Sequence, residues 1–403
     1  MLLVMFMKVE ILRFDDFGRG ICYIDDKVTF VPFAVPGDVL EIEIIKEKKN
    51  YNEGKIVKII KPSKNRVVPS CPYFGTCGGC AYQMLQYDDS ILEKQNNVIN
   101  YFKKNGLLIN PSIIKNDRPY NYRNKITLKI VNRKIGYFKN NSHEIVEINK
   151  CLLAENKINE VIKLIPSLNI INGEVIIRCN YKDEVLIIIS TNDNVVLSKI
   201  KDIIGLKGIV LNNKTIYGDN YFIEEVNDIK YNVAYDAFFQ VNRLVCAKMF
   251  KLAQDFVCES DIVLDLYSGV GTLGLSAARK AKEVVGVEIN KNAVDNANEN
   301  AKLNNLTNAL FIYSDAGDIK NLDINFNKLI VDPPRAGLSE DTINFINKRL
   351  PEKIMYISCD YHTQVRDLKL LDDYEIIDSY VCDLFSYTYH VESIVSLKLK
   401  SVR

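Results

Sequence analysis

The stretch that most restricts the fold is DIVLDLYSGVGTLGLSAARKAKEVVGVEIN, residues 261 to 290. An apolar strand ends in a glycine loop, a helix starts at Thr272, and a second apolar strand ends at Glu288. The alternation continues through a helix over 291–304, ALFIYSDA, KLIVDPPRAG, KIMYISCD and a helix over 362–371. Strands alternating with helices of this length predict a parallel, doubly wound sheet from about residue 236 onward. The last two β runs are separated only by DLFSYTYH, too short for a crossover helix, so they are expected to pair antiparallel.

The glycine loop predicts a ligand site. Gly269 and Gly271 let the backbone turn tightly and approach a ligand at a helix N-terminus. Glu288 closes the next strand, where an acid can take both hydroxyls of a ribose. The loop reads Asp-x-x-x-Gly-x-Gly, not the G-x-G-x-x-G of dinucleotide enzymes. Asp265 would put negative charge where a pyrophosphate sits, so the expected ligand is cationic or zwitterionic, as S-adenosylmethionine is. Asp315, at the end of ALFIYSDA, is placed to accept from an adenine amino group; a simple turn cap is the alternative.

Two more strand ends carry chemistry. Asp332 stands at the carboxyl end of one strand, where open α/β sheets bind ligands, and a Pro-Pro pair follows. Many amino-methylating enzymes place an aromatic after the prolines, and here the residue is Arg335. The next strand ends at Cys359, directly before a helix start expected to lower its pKa. Glu392, in YTYHVESIV, is expected to share a strand face with His390; a solvated strand glutamate is the plain alternative. A thiolate nucleophile, a carboxylate base and a methyl donor fit one reaction, methylation at carbon 5 of uracil. Addition of the thiolate to carbon 6 makes carbon 5 enolate-like, and a base then removes the carbon 5 proton. A free cysteine is only about 3% thiolate at neutral pH, so the site must activate it.

Upstream, residues 8–60 alternate short β runs with turn signals, which predicts about five strands of a small barrel. From Lys46 to Arg66 there are eight basic and two acidic residues, either a solvated face or an RNA-binding edge. Residues 120–225 read as an α+β region with a helix near 155–165. The apolar start, MLLVMFM, is too short for a secretion signal or a membrane span, and nothing later reaches about 18 uninterrupted apolar residues. A cytoplasmic protein with no membrane partner is expected. In a reducing compartment, ten cysteines are read as metal-binding, catalytic or core residues instead of disulfides. Cys22, Cys179, Cys246, Cys258 and Cys382 are assigned to the core.

With these residues in hand, the chain resembles the bacterial RNA 5-methyluridine methyltransferases, most of all the 23S rRNA uracil-5 enzymes. FFQVN (238–242), DLYSGVGTLGLSAA, VEIN, SDA, DPPRAGL, SCD and YHVESIVSL occur in that family's order along nearly the whole chain. The resemblance implies a Rossmann-like class I methyltransferase domain with an antiparallel C-terminal hairpin over 231–403. It implies an OB-like TRAM barrel over 1–62 and an α+β central domain over 63–230. It also implies S-adenosylmethionine contacts from Gln240, Tyr267, Gly269, Glu288, Asp315 and Asp332, with Cys359 as nucleophile and Glu392 as base.

Cysteine-bearing members carry C-x5-C-x2-C and a distant fourth cysteine, here Cys71, Cys77, Cys80 and Cys151. The resemblance makes these the ligands of a structural [4Fe–4S] cluster, with a four-cysteine zinc site as the rival. It further implies a monomer acting on 23S rRNA. A tRNA uracil-5 methyltransferase and a non-catalytic RNA-binding iron–sulfur protein are the alternatives. One departure stands out. The family motif often continues with Asn-Pro or Asp-Pro, but here it reads Cys359-Asp360-Tyr361-His362, so the loop lacks a proline's stiffness.

Overall fold

The computed structural model describes residues 6–140, 142–316 and 324–401. Six strands form the first sheet: β1 (Phe6–Glu10), β2 (Arg13–Phe14), β3 (Gly20–Ile24), β4 (Lys27–Val31), β5 (Val39–Glu47) and β6 (Tyr51–Lys61). Their order is β1-β5-β6-β4-β3-β2, one strand more than the sequence suggested. Asp25 and Asp26 join β3 to β4 with both residues at positive φ, the backbone of a two-residue hairpin turn. Asn132-Arg133, Asn212-Asn213 and Asn227-Asp228 repeat that solution in later hairpins. Short polar side chains tolerate the left-handed region better than most, which is why such pairs recur there.

Helix α1 (Tyr87–Lys104) and strand β7 (Ser112–Ile114) come next. The central sheet holds β8 (Lys125–Val131), β9 (Lys134–Phe138), β10 (Ile145–Glu147), β11 (Gly173–Cys179), β12 (Val185–Ser190), β13 (Leu206–Leu211) and β14 (Lys214–Gly218). Its order is β10-β9-β8-β11-β12-β13-β14. Helix α2 (Asn156–Ile162) and a short 3-10 turn at Ile165–Leu168 cover one face through Ile158, Val161, Ile165 and Leu168. Alternate residues of β12 face opposite cores, Ile187 and Ile189 toward α2 and Leu186 and Ile188 away from it. That two-sided burial explains why VLIIIS reads as an unbroken apolar run. A separate hairpin, β15 (Tyr221–Val226) with β16 (Ile229–Ala234), leads to α3 (Arg243–Phe256), a helix the sequence reading did not single out.

The last sheet contains β17 (Ile262–Leu266), β18 (Glu283–Glu288), β19 (Ala309–Tyr313), β20 (Lys328–Val331), β21 (Lys353–Ser358), β22 (Tyr374–Cys382) and β23 (Glu392–Leu399). The order is β19-β18-β17-β20-β21-β23-β22-β7. The first five are parallel, and β23 slots antiparallel between β21 and β22 as expected of the final β runs. β7 closes the edge beside β22, a pairing across more than 260 residues that local pattern does not reveal. Helices α4 (Thr272–Ala278) and α5 (Lys291–Leu303) pack with α3 on one face. Helices α6 (Glu340–Arg349) and α7 (Tyr361–Leu368) pack with α1 on the other. α6 was not anticipated, although Ser339 caps it and Glu340, Asp341, Lys348 and Arg349 complement its dipole. Among the described residues no helix is long and apolar enough to cross a membrane.

Candidate active site

One cleft of about 1460 Å³ is lined by the first sheet, the cysteine loop, the central sheet region and the carboxyl ends of the last sheet. Gln240, Tyr267, Gly269, Glu288, Asp332, Cys359 and Glu392 all line it. Tyr267, Glu288, Asp332 and Cys359 meet there because β17, β18, β20 and β21 are parallel and end together.

The glycine loop divides into two functions. Gly271 has φ +85°, and a side chain there would meet the Phe311 ring at 2.8 Å. Gly274 and Gly286 also approach that ring, so three glycines make room for one buried phenylalanine. Burying such a ring stabilises by roughly 1.5–3 kcal/mol. Gly269 differs: its φ is +54° and nothing lies within 4 Å of the position a Cβ would take. Gly269 is therefore the glycine open to a ligand, while Gly271 serves packing. The Gly269 amide donates to Glu288 Oε2 at 3.0 Å and the Asn290 amide donates to Oε1 at 2.8 Å. These bonds fix the carboxylate and leave further lone pairs for ribose hydroxyls. Tyr267 sits at φ +63° with its hydroxyl 3.2 Å from Thr342 Oγ1 on α6. An open glycine, an anchored acid and a cleft of this depth fit S-adenosylmethionine.

Two expectations change here. Asp265 does not line the cleft. It is fully buried beneath the loop, and burial pushes its carboxyl up to about 8, with the Gly274 backbone amide pulling it down. It cannot repel a pyrophosphate by direct exposure. Asp315 is exposed at the end of β19 and does not line the cleft, although its charge reaches Tyr267.

Around Cys359 the electrostatics also depart from expectation. Burial first, and then the charges of Glu392 and Asp332, push the thiol up to about 11, while Arg335 pulls it down. The start of α7 does not lower it on balance. Asp360 occupies that helix end, accepting from the His362 amide at 2.9 Å. Glu392 is 5% exposed, and burial together with Asp332 holds its carboxyl well above the usual range. Burial brings Asp332 to about 7. Arg335, which the sequence reading used only as a missing aromatic, is the cation facing both Cys359 and Glu392. An arginine after two prolines at a strand end was the available signal. His390 precedes β23 instead of sharing it with Glu392; burial and nearby cations lower it to about 4. Its Nδ1 lies 3.4 Å from Arg335 Nη2.

The loop after Cys359 is held without a proline. Asp360 N donates to Ser358 Oγ at 3.1 Å, and His362 reaches Asp360 at 3.0 Å and Asp16 of the first sheet at 3.3 Å. The loop before Glu392 is held by a buried ion pair, Lys94 to Asp383 at 2.7 Å, each side chain 1% exposed. Tyr87 and Ser386 also donate to Asp383.

The four clustered cysteines face one another. Cys71, Cys77 and Cys80 each feel Cys151, and burial raises all three, Cys80 to about 12. Gln83 donates to Cys80 Sγ at 3.2 Å. The Gly78 amide donates to Phe138 O at 3.1 Å, and the Ala81 and Tyr82 amides donate to Tyr387 O at 2.9 and 3.0 Å. The loop thus joins the central sheet to the segment before Glu392. Among the described residues, no three His, Cys, Asp or Glu side chains converge closely enough to hold a single metal ion. Of the cysteines assigned to the core, Cys22, Cys179, Cys246 and Cys382 are buried, but Cys258 is exposed.

A sequence model of the family described as tRNA (Uracil-5-)-methyltransferase matches residues 115–400, and one of the TRAM domain matches residues 6–57. An uncharacterized RNA methyltransferase of Clostridium acetobutylicum is 33% identical over 445 residues, covering 97% of this chain and 96% of the relative. One from Staphylococcus aureus is 31% identical, covering 95% and 96%. Among solved structures, the Pyrococcus abyssi tRNA (uracil-54, C5)-methyltransferase in complex with S-adenosyl-L-homocysteine is 26% identical with a TM-score of 0.83. It covers 97% of this chain and 99% of its own.

Proposed function

The chain belongs to the S-adenosylmethionine-dependent tRNA (uracil-5-)-methyltransferase family, and from that membership we propose that it methylates carbon 5 of a uridine in 23S rRNA through a covalent cysteine adduct. The observation that carries the reading is the placement of Cys359, Glu392 and Asp332 on one cleft, with Arg335 the cation facing Cys359 and Glu392.

Gln240, Tyr267, Gly269, Glu288 and Asp332 would hold the methyl donor, with Asp315 contributing from the rim near Tyr267. S-adenosylmethionine supplies the methyl group on a sulfonium. Arg335 offsets the cost of the Cys359 thiolate, whose sulfur adds to carbon 6 and shifts the ring electrons toward carbonyl oxygen 4. Carbon 5, now nucleophilic, takes the methyl group as the sulfonium carbon–sulfur bond breaks and S-adenosylhomocysteine leaves. Glu392 then removes the carbon 5 proton, and the returning electrons expel the Cys359 thiolate. Once its own proton has left to solvent, a carboxylate with a raised pKa is a stronger base than a solvated glutamate, which suits that step.

We also read Cys71, Cys77, Cys80 and Cys151 as ligands of a [4Fe–4S] cluster. Cys151 acts on all three thiols of the loop, and a triplet of cysteines with a distant fourth is less like the two close pairs common in four-cysteine zinc sites. Arg123, beside Cys77 and Cys80, would balance part of the cluster's negative charge. The division into a barrel over 1–62, a central domain over 63–230 and a methyltransferase domain over 231–403 rests on the three larger sheets, with the β15–β16 hairpin at the second boundary. Helix α1 and β7 reach across to the last of them. A cytoplasmic monomer follows from the same reading.

A second reading, a tRNA substrate, is supported by likeness along almost the whole chain, first sheet included, to the Pyrococcus abyssi enzyme. Nucleoside mass spectrometry after incubating the protein with S-adenosylmethionine and unmodified ribosomal or transfer RNA separates the two. 5-Methyluridine in ribosomal RNA alone supports the first reading, in transfer RNA alone the second. Product in neither would move the non-catalytic RNA-binding reading to the front.

A further inference from the structure

Four aromatic rings form a ladder along the cleft. Phe17 meets Tyr389 edge-on with centroids 5.5 Å apart, Tyr389 meets His390 at 4.2 Å, and His390 meets Phe385 at 5.8 Å. All four line the cleft that contains Cys359 and Glu392. The outer two are exposed, Phe17 at 57% and Tyr389 at 39%.

Their exposure is built in. Asp15 Oδ1 accepts from the amides of Phe17 and Arg19, at 3.0 and 2.7 Å, and its Oδ2 pairs with the Arg19 guanidinium at 2.7 Å. Gly18 completes the turn at φ +77°, where a side chain would strike the Tyr82 ring. On the other side, Thr388 Oγ1 donates to Phe385 O at 2.8 Å and accepts from the His390 amide at 3.2 Å. Two rigid turns, more than 370 residues apart in sequence, hold apolar rings toward water. A solvated ring gains nothing for folding, so the arrangement fits a flat apolar partner.

We propose that Phe17 and Tyr389 form a stacking seat for a nucleobase next to the target uridine in the RNA strand. The inference rests on the RNA-methylating reading and adds where the strand runs. A base reacting at Cys359 must have neighbours that leave through the cleft, and these rings stand on its wall. Every base has a face for such a ring, so the seat favours unpaired bases without reading their identity. The cleft also carries complementary charge, since Arg123 and Arg335 line it together with the rings.

The test uses the full chain with two fluorescein-labelled probes, single-stranded hexauridylate and a hexameric abasic ribose-phosphate strand, read by fluorescence anisotropy. The wild type should prefer hexauridylate. Phe17→Ala and Tyr389→Ala should each lose about 5–150-fold in affinity for it, with the abasic strand unaffected. Phe17→Trp should retain the preference, which a merely structural role for the phenyl group would not predict. Equal binding of the two strands by the wild type would overturn the seat, as would alanine variants that weaken both strands alike. Failure of the methylating reading shows separately, as absence of 5-methyluridine while the base preference remains.

Discussion

Cys80 and Cys359 line the same cleft, and burial is the largest influence raising both thiols, yet their neighbours differ in kind. Cys80 lies among other thiols with Arg123 beside them, no carboxylate is among the leading influences on it, and its immediate partner is the neutral amide of Gln83. Cys359 lies among carboxylates and one guanidinium. A group of thiols becomes a group of thiolates only if cations share their charge, and on the proposed reading a metal cluster adds to what Arg123 supplies there. A thiol beside an arginine and a carboxylate becomes a thiolate transiently, which suits the nucleophile proposed at that site. On the proposed reading, two buried thiols thus serve as a fixed staple in one case and a reversible nucleophile in the other.

Changing Cys359 should have the largest effect. Cys359→Ala is expected to lower 5-methyluridine formation by on the order of 10⁴-fold or more while S-adenosylmethionine binding, followed by calorimetry, stays intact. Normal turnover in that variant would erase the contrast between the two cysteine settings. Glu392→Gln comes next. Turnover should fall about 10²–10⁴-fold, and a covalent protein–RNA species should accumulate on denaturing gels because the carbon 5 proton remains.

Arg335→Ala sharpens the comparison from the electrostatic side. The Arg335 charge lowers the Cys359 thiol, so its removal raises the thiol further and reduces the thiolate fraction at any pH below it. Adduct formation in the wild type should rise with pH from about 6 to 10, and in the variant be about 10–100-fold slower with the rise displaced upward. An unshifted profile would remove Arg335 from the account.

For the clustered site, Cys151→Ser should lower Tm, abolish any broad visible absorbance and reduce turnover by only about tenfold, since no redox step is involved. A colourless wild type loaded with zinc would replace the cluster reading. The smallest effect belongs to Asp265. Its carboxyl is raised from 3.8 to about 8, so the native state holds a proton that the unfolded chain loses first. That burden is absent below about pH 4, grows as pH rises and levels off above about pH 8. Asp265→Asn should therefore raise Tm by roughly 2–4 °C at pH 8 and change it little at pH 4.

Much of this architecture was legible in the chain because β/α alternation is local. The strand ends at Asp332 and Cys359 could be placed on one sheet edge from pattern alone, and the order of motifs supplied the family. The rest depends on distant contacts. The need for Gly271 comes from Phe311, forty residues later. Asp265 looked like a ligand-facing charge because nothing local shows that it points beneath its loop. The helix after Cys359 suggested a lowered thiol pKa, but Asp360 caps that helix and Glu392 arrives from another strand. Helix α6 was passed over because its residues are mostly polar, despite a serine cap and well-placed charges. Phe17 and Tyr389 drew no notice because only the folded chain brings them together.

The most direct test of the central claim is the intact mass of the protein after incubation with S-adenosylmethionine and RNA carrying 5-fluorouridine, which has no carbon 5 proton for Glu392 to remove. The account predicts a stable RNA adduct on the wild type, mapped by peptide sequencing to Cys359, and none on Cys359→Ala. An adduct on another residue, or 5-methyluridine formed from ordinary RNA with no adduct at all, would contradict it.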